Sequence, residues 1–147
     1  MPGEIAVSGI CDYDFETRRS HIEIYLSTNS STKKVEITDS LIRDITCTVV
    51  HEVTHREQQK LKSSRAYLRS SSDELEYLML PDEIDAYAND IAFDLYLQGL
   101  GLEYLREFHH DDTNNYSLSM YAAHLRETKE LKRLYRKIYL NLIYLNS

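Results

Sequence analysis

Residues 38–61 read TDSLIRDITCTVVHEVTHREQQKL, and the way this stretch folds decides where the chemistry of the chain can lie. Thr38, Asp39 and Ser40 are three N-cap residues in a row and mark a helix start. The β-branched content that follows would suit a strand. The apolar residues nevertheless recur with a period near 3.6: Leu41, Ile45, Val49 and Val53, with Ile42 and Val50 beside them. That spacing predicts a helix to Leu61 with these side chains as its buried face. Inside it stands His51-Glu52-Val53-Thr54-His55. Residues four apart share a helix face, so both imidazoles can be aimed at one metal ion. Glu52, offset by one residue, can stand beside that ion and take a proton from water bound there. Three fixed positions are a weak filter by themselves, so the rest of the chain must complete the site.

Upstream, Ile22, Ile24 and Leu26 alternate with His21, Glu23 and Tyr25, which predicts a strand over 21–27. Residues 4–11 alternate more loosely and are expected to be its partner, with the polar run from Asp12 to Ser20 as the connection. Asn29 to Thr32 reads as a loop, and Val35-Glu36-Ile37 as a short third strand. Downstream, Ser70-Ser71-Ser72 breaks the chain before a short helix from Asp73 to Leu78. Pro81 then opens a helix with Asp82 and Glu83 in its first turn, favourable at the positive end of the dipole. Its inward stripe is Ile84, Tyr87, Ala88, Ile91, Ala92 and Leu95, and Gly99 and Gly101 end it. A short helix over 102–109 and a polar loop to Asn115 follow. One long helix is expected from Ser117 to Leu145, with Leu118, Tyr121, Ala122, Leu125, Leu134, Tyr135, Ile138 and Leu142 inward. The expected fold class is α+β: one mostly helical domain over 1–147 with a small N-terminal sheet packed on the motif helix.

A catalytic zinc takes three protein ligands and leaves a fourth position for water. The extended metzincin pattern would place a glycine at position 58 and a histidine at 61; the chain has Gln58 and Leu61. The other common solution is a glutamate from a second helix crossing the first. Glu83 fits: it precedes Tyr87 and Ile91 by four and eight residues and so shares the inward stripe. Asp85 is rotated by about 200° from it and is the poorer candidate. Asp82 and Asp90 flank the stripe. The plain alternative for Glu83 is a first-turn acid that serves only the helix dipole.

The pairing of HExxH with Glu83-Ile84-Asp85-Ala86-Tyr87-Ala88 resembles the gluzincin metallopeptidases. It is most similar to small phage and bacterial zincins, including the ImmA/IrrE-like group with its ExxAN…FA segment. Ala86 matches that pattern, whereas Tyr87 departs from the asparagine. His51 to Gln58 is also similar to the HExxHxxQ form of small peptidases. The resemblance spans residues 38–95 and leaves the C-terminal third uncovered. It implies one Zn²⁺ per chain on His51, His55 and Glu83, and hydrolysis of a peptide or protein substrate with Glu52 as general base. It also implies an edge strand for the substrate, for which 21–27 is the candidate. A further donor should steady the oxyanion; Tyr87, Tyr135 and Tyr139 are available. The alternative is a zinc-binding regulatory or interaction protein that keeps the scaffold without peptidase activity. Intact Glu52 favours the enzyme, and the small size favours the alternative.

Bulk properties narrow the partners. At 147 residues the chain can bury about two-thirds of its unfolded surface without staples. A hydrophobic fraction of 42% and a charged fraction of 28% are ordinary for a globular domain. The net charge of −7 argues against nucleic acid or an anionic membrane as the main partner. Arg18-Arg19, Lys33-Lys34 and Lys132-Arg133 are pairs rather than patches. No apolar run is long enough to span a bilayer. Two cysteines, Cys11 and Cys47, make no disulfide framework, and Met-Pro-Gly-Glu is no signal peptide. A cytoplasmic location, in a cell or in a virus's host, is the expectation. Cys47, one turn before His51, reads as a small buried residue. His109 to Asp112 reads as a solvated loop, and His21 and His124 as single histidines.

Overall fold

The computed structural model describes residues 5–28, 35–61, 73–109 and 111–147. The expected loop at 29–32, the break at Ser70 to Ser72 and His110 lie outside the described residues. The fold is α+β and mostly helical, with a two-stranded antiparallel sheet at its N-terminus.

Strand β1 (Ile5–Asp14) pairs with β2 (Arg19–Thr28) in register from Ile5↔Thr28 to Asp14↔Arg19. The connection is therefore only residues 15–18, shorter than the polar run suggests. Asp14 Oδ1 accepts the backbone N–H groups of Glu16 and Thr17 at 2.8 and 3.2 Å, and Arg18 takes φ 56° to close the turn. Polar residues at 12–14 and 19–20 stay in the ladder because much of the hairpin is exposed, so they lose no hydration there. Along β1 the odd-numbered residues are half-buried and the even-numbered ones exposed. The third strand does not form: residues 35–38 carry no ladder, and Ile37 is 76% exposed. An isolated extended segment would leave its backbone groups without strand partners.

Helix α1 (Asp39–Leu61) begins where the N-cap run predicts, with Leu41 N–H donating to Thr38 Oγ1 at 3.1 Å. Its buried face differs from the apolar stripe. Leu41 is buried, but Ile42 and Val49 are exposed, and the other buried residues are His51, Glu52, His55 and Gln59. At 100° per residue, Ile42 and Val49 lie nearly opposite His51. Hydrogen bonding compensates the burial of polar groups, so a polar face can be the packed one.

Helices α2 (Glu74–Met79) and α3 (Pro81–Leu97) follow. Asp73 caps α2 through Leu75 N–H, and Pro81 sits at the first position of α3. Gly99, at φ 71°, ends α3: its N–H donates to the Tyr96 carbonyl, and Leu100 N–H donates to that of Leu95. α3 is the central element, packed on α1 on one side and on the last helix on the other. α4 (Leu102–Glu107) leads to α5 (Tyr116–His124) and α6 (Lys129–Leu145).

The expected single helix from Ser117 to Leu145 is thus two. Thr128 caps α6 by accepting Leu131 N–H at 3.2 Å, and Glu127 takes φ 56°. A continuous helix would have carried Thr128, Lys129 and Lys132 into the stripe of Leu118, Tyr121 and Leu125; the break resets the phase so that Leu134, Ile138 and Leu142 point inward. The described apolar core is built from Ile84, Ala88, Ile91, Ala92 and Leu95 of α3 together with these residues, Leu78 and Leu105. The Tyr121 hydroxyl donates to the Leu78 carbonyl at 3.0 Å, satisfying its one polar atom in the core.

Candidate metal centre

The face of α1 that carries His51 and His55 meets the first two turns of α3. Position 83 follows Pro81 closely, so the proline that starts α3 also places Glu83 at the helix mouth, aimed across at α1. All three side chains are buried, Glu83 to 1% exposure. His51 Nε2 and His55 Nε2 stand 3.1 Å apart. Glu83 Oε2 is 3.4 Å from the first, and Oε1 is 3.3 Å from the second. Two ligands bound at about 2.05 Å to a tetrahedral ion are separated by about 3.3 Å. The imidazole pair is near that separation, and each imidazole meets a different oxygen of Glu83 at the same range; one donor atom from each of the three residues lies within 4.8 Å of the others.

The opposite ring nitrogens are already committed. His51 Nδ1 lies 2.8 Å from Asp90 Oδ2. His55 Nδ1 lies 2.8 Å from Gln58 Oε1, whose Nε2 donates to the Asp82 carbonyl at 2.9 Å. A carboxylate and an amide oxygen only accept, so both Nδ1 atoms carry a proton and both Nε2 atoms face the Glu83 carboxylate, as N–H donors where the ring is protonated and as lone pairs toward a metal ion. Such a set calls for a cation between them, either protons or a metal ion. The residues fit a metal ion, and Asp90 and Gln58 are the partners that fix ring orientation in metal sites.

Charges follow from this crowding. Burial opposes protonation of His51, but hydrogen bonds to Asp90 and Glu83 outweigh it and hold the ring up to about 9. Burial alone would raise Glu83; hydrogen bonds from His51 and His55 instead bring it down to about 2. Burial pushes Asp90 up to about 6 against the pull of His51. Glu52 is also raised, by burial first, with the charges of His51 and His55 opposing. Three buried carboxylates around two imidazoles need positive charge in their midst.

A cavity of about 530 Å³ opens beside the trio. His51 and Glu52 form its inner end, and it extends past Thr48 and Cys47 to Arg43. Val7, Ser8 and Gly9 of β1 line it, as do Asn114 to Ser117 before and in α5. No residue of β2 borders it, so the strand beside the site is β1 and the expectation for 21–27 is corrected. β1 is the strand that lies over α1 because Gly9 allows it. A Cβ at Gly9 would stand 2.7 Å from Glu52 Cγ and 2.9 Å from Thr48 Cγ2, closer than atoms pack.

The other sequence candidates separate clearly. Tyr87 stands in the site, its ring 4.4 Å from that of His51 and edge-on to it, with Tyr121 behind at 5.3 Å. Tyr135 lines a different depression, with Phe108 and His109, and Tyr139 lies on the exposed side of α6. Cys47 borders the cavity without joining the trio, and burial raises its thiol. Both cysteines are free. Asp85 turns away to Arg133 and Lys137 of α6. His109 and His124 are exposed, and exposed His21 pairs with Glu23 at 2.8 Å. Gln59 is buried and accepts from Cys11 Sγ at 4.0 Å. The sequence did not single out Asp90 as the support of His51 or Gly9 as the contact of Glu52. Asp90 was within reach, since it follows Glu83 by two turns on the same face.

No family model, curated protein or solved structure matches the chain. The gluzincin resemblance therefore rests on these residues and their geometry. His51, His55 and Glu83 lie together and could hold a metal ion. No helix among the described residues is long and apolar enough to cross a membrane.

Proposed function

We propose that the protein is a zinc-dependent peptidase in which His51, His55 and Glu83 hold the ion and Glu52 is the general base. One observation carries this: two imidazole Nε2 atoms and a carboxylate converge at 3.1 to 3.4 Å, with both Nδ1 atoms tied back. Two imidazole nitrogens and one carboxylate are a donor set that suits Zn²⁺. When bound, zinc supplies Lewis acidity to a carbonyl and lowers the pKa of coordinated water toward about 7. Glu52 accepts the proton of the attacking water and returns it to the departing amine. Its burial raises its affinity for that proton, in the direction a base working near neutrality needs. Asp90 and Gln58 keep the Nε2 lone pairs turned inward throughout. The cavity between β1 and the start of α5 receives the substrate, whose extended backbone can run beside Val7 to Gly9. Tyr87, against His51, is the tyrosine placed to support charge in the site.

One observation favours a metal-binding regulator without hydrolysis: Glu52 is itself 7% exposed, covered by Gly9 of β1. Metal analysis and peptide cleavage separate the two. Purified protein should carry one zinc per chain, and His51→Ala and Glu83→Ala should lose it. An unchanged zinc content in Glu83→Ala overturns the ligand set. Wild type should cleave members of a peptide library that Glu52→Gln, still loaded with zinc, leaves intact. Equal patterns from the two proteins would leave the regulator.

A further inference from the structure

The outward face of α6 is divided along its length, and neither half takes part in the metal centre. Counted along the chain, Lys132-Arg133 is only a pair. Wound into α6 it joins Lys129, Arg136 and Lys137 on one surface depression of about 520 Å³ that ends at Leu140. This overturns the expectation that the chain has no basic patch. Residues 129–137 carry five cations and Glu130, a net +4, so the remainder of a chain of net charge −7 carries −11. Three of the five are occupied: Arg133 and Lys137 reach Asp85 of α3 at 3.3 and 3.4 Å, and Lys129 reaches Glu130 at 3.9 Å. Lys132 and Arg136 have no acidic partner among the described residues. In the next two turns the same face becomes apolar, with Leu140 50%, Ile143 44% and Tyr144 78% exposed. Positions 136, 140 and 144 follow at intervals of four, so cations and apolar groups form one stripe in series.

This order selects among anionic partners. A helix that lies on a bilayer needs apolar groups deeper than its cations; here both stand at the same height on one stripe. A long nucleic acid would run past the patch into the −11 of the rest of the molecule, and repulsion acts over about 8–10 Å at ordinary ionic strength. A short protein segment avoids both problems if its own charges and apolar groups come in the same order. We propose that this face docks an amphipathic helix of a partner protein, whose acidic half meets Lys132 and Arg136 and whose apolar half covers Leu140 and Ile143. Apolar burial supplies the affinity, and the charges fix the register.

The test uses the full, metal-loaded chain and three labelled probes in anisotropy titrations. The first is a synthetic helical peptide with a block of glutamates and a block of leucines, made in both block orders. The second is a shuffled peptide of the same composition. The third is a single-stranded oligonucleotide, with phosphatidylserine vesicles assayed in parallel by sedimentation. One block order should bind about tenfold or more tighter than the shuffled peptide. That gain should vanish in K132E/R136E, and in K132Q/R136Q should weaken without reversing. Among the described residues these side chains pair with no acidic group, so thermal midpoints of the variants should match the wild type. If a charge-reversed variant melts early, the glutamine pair decides. Equal binding of block and shuffled peptides overturns the proposal. So does a block peptide indifferent to both variants, or tighter binding of the oligonucleotide or the vesicles than of either block peptide.

Discussion

At the scale of single residues the site is a problem of protons before it is one of metal. His51 can serve as a ligand only if its proton sits on Nδ1, and Asp90 is what keeps it there. Replacing Asp90 by alanine should weaken zinc binding by about 10- to 100-fold, read by competition with a chromophoric chelator, while Glu83→Ala should abolish it. Without metal, the same contacts make stability depend on pH with a definite sign. Glu83 is held at about 2 against an ordinary 4.5, so its contribution is full above 4.5 and is lost as pH falls toward 2. His51 is held at about 9 against 6.5, so its contribution is full below 6.5 and is lost as pH rises toward 9. The two share the His51–Glu83 contact; Asp90 adds to the hold on His51, and His55 to the hold on Glu83. The melting temperature of the stripped protein should therefore fall between pH 6.5 and 9. The zinc-loaded protein should show no such fall, because rising pH frees the ligands for the ion. Parallel alkaline falls in both forms would contradict the assignment.

At the scale of elements, the break between α5 and α6 rests on one side chain. Thr128→Ala removes the acceptor for Leu131 N–H and should cost about 1 kcal/mol, a fall on the order of 2–4 °C in melting temperature for a chain of this size. The break is legible in the sequence, for the fully buried stripe skips from Leu125 to Leu134 and, Leu131 apart, only charged or capping residues fill the space. No glycine or proline marks it, so hydrophobic period alone runs the two helices together. The start of α1 at Thr38, the opening of α3 at Pro81 and its end at Gly99 were all readable, since caps and φ preferences act locally. The buried face of α1 was not. Hydrophobicity pointed to Ile42 and Val49, but the packed face carries His51, Glu52, His55 and Gln59, whose burial depends on partners 24 to 48 residues distant. Of the site, the spacing of five residues and one helical stripe pointed to the three residues that lie together. The covering strand depended on Gly9, and nothing in a lone glycine says which side chain it will meet.

At the scale of the whole molecule, the polar centre lies between two unequal halves. Every residue of the described apolar core lies between Leu78 and Leu142. The hairpin and α1 are fastened to it largely by polar contacts: the trio itself, His51 to Asp90, Gln58 to the Asp82 carbonyl, Asn89 to Thr54, and Arg43 to Asp94 at 2.7 Å. A ligand that binds only the joined form stabilises it by about 2.7 kcal/mol at a hundredfold excess over its Kd. Chelation should thus raise amide exchange in β1, β2 and α1 while α3 and α6 keep their protection, as followed by hydrogen-exchange mass spectrometry. Uniform loss of protection across the chain would show the two halves to be one cooperative unit.

The same division bears on how the protein is made. The ribosome releases the hairpin and the HExxH helix long before it releases Glu83, and Glu83 is positioned by a helix whose own apolar partners come last. A nascent chain that ends at Leu61 has two imidazoles on one helix face and nothing to settle against. The half that is synthesised first is therefore the half that can become fixed only after the other is complete.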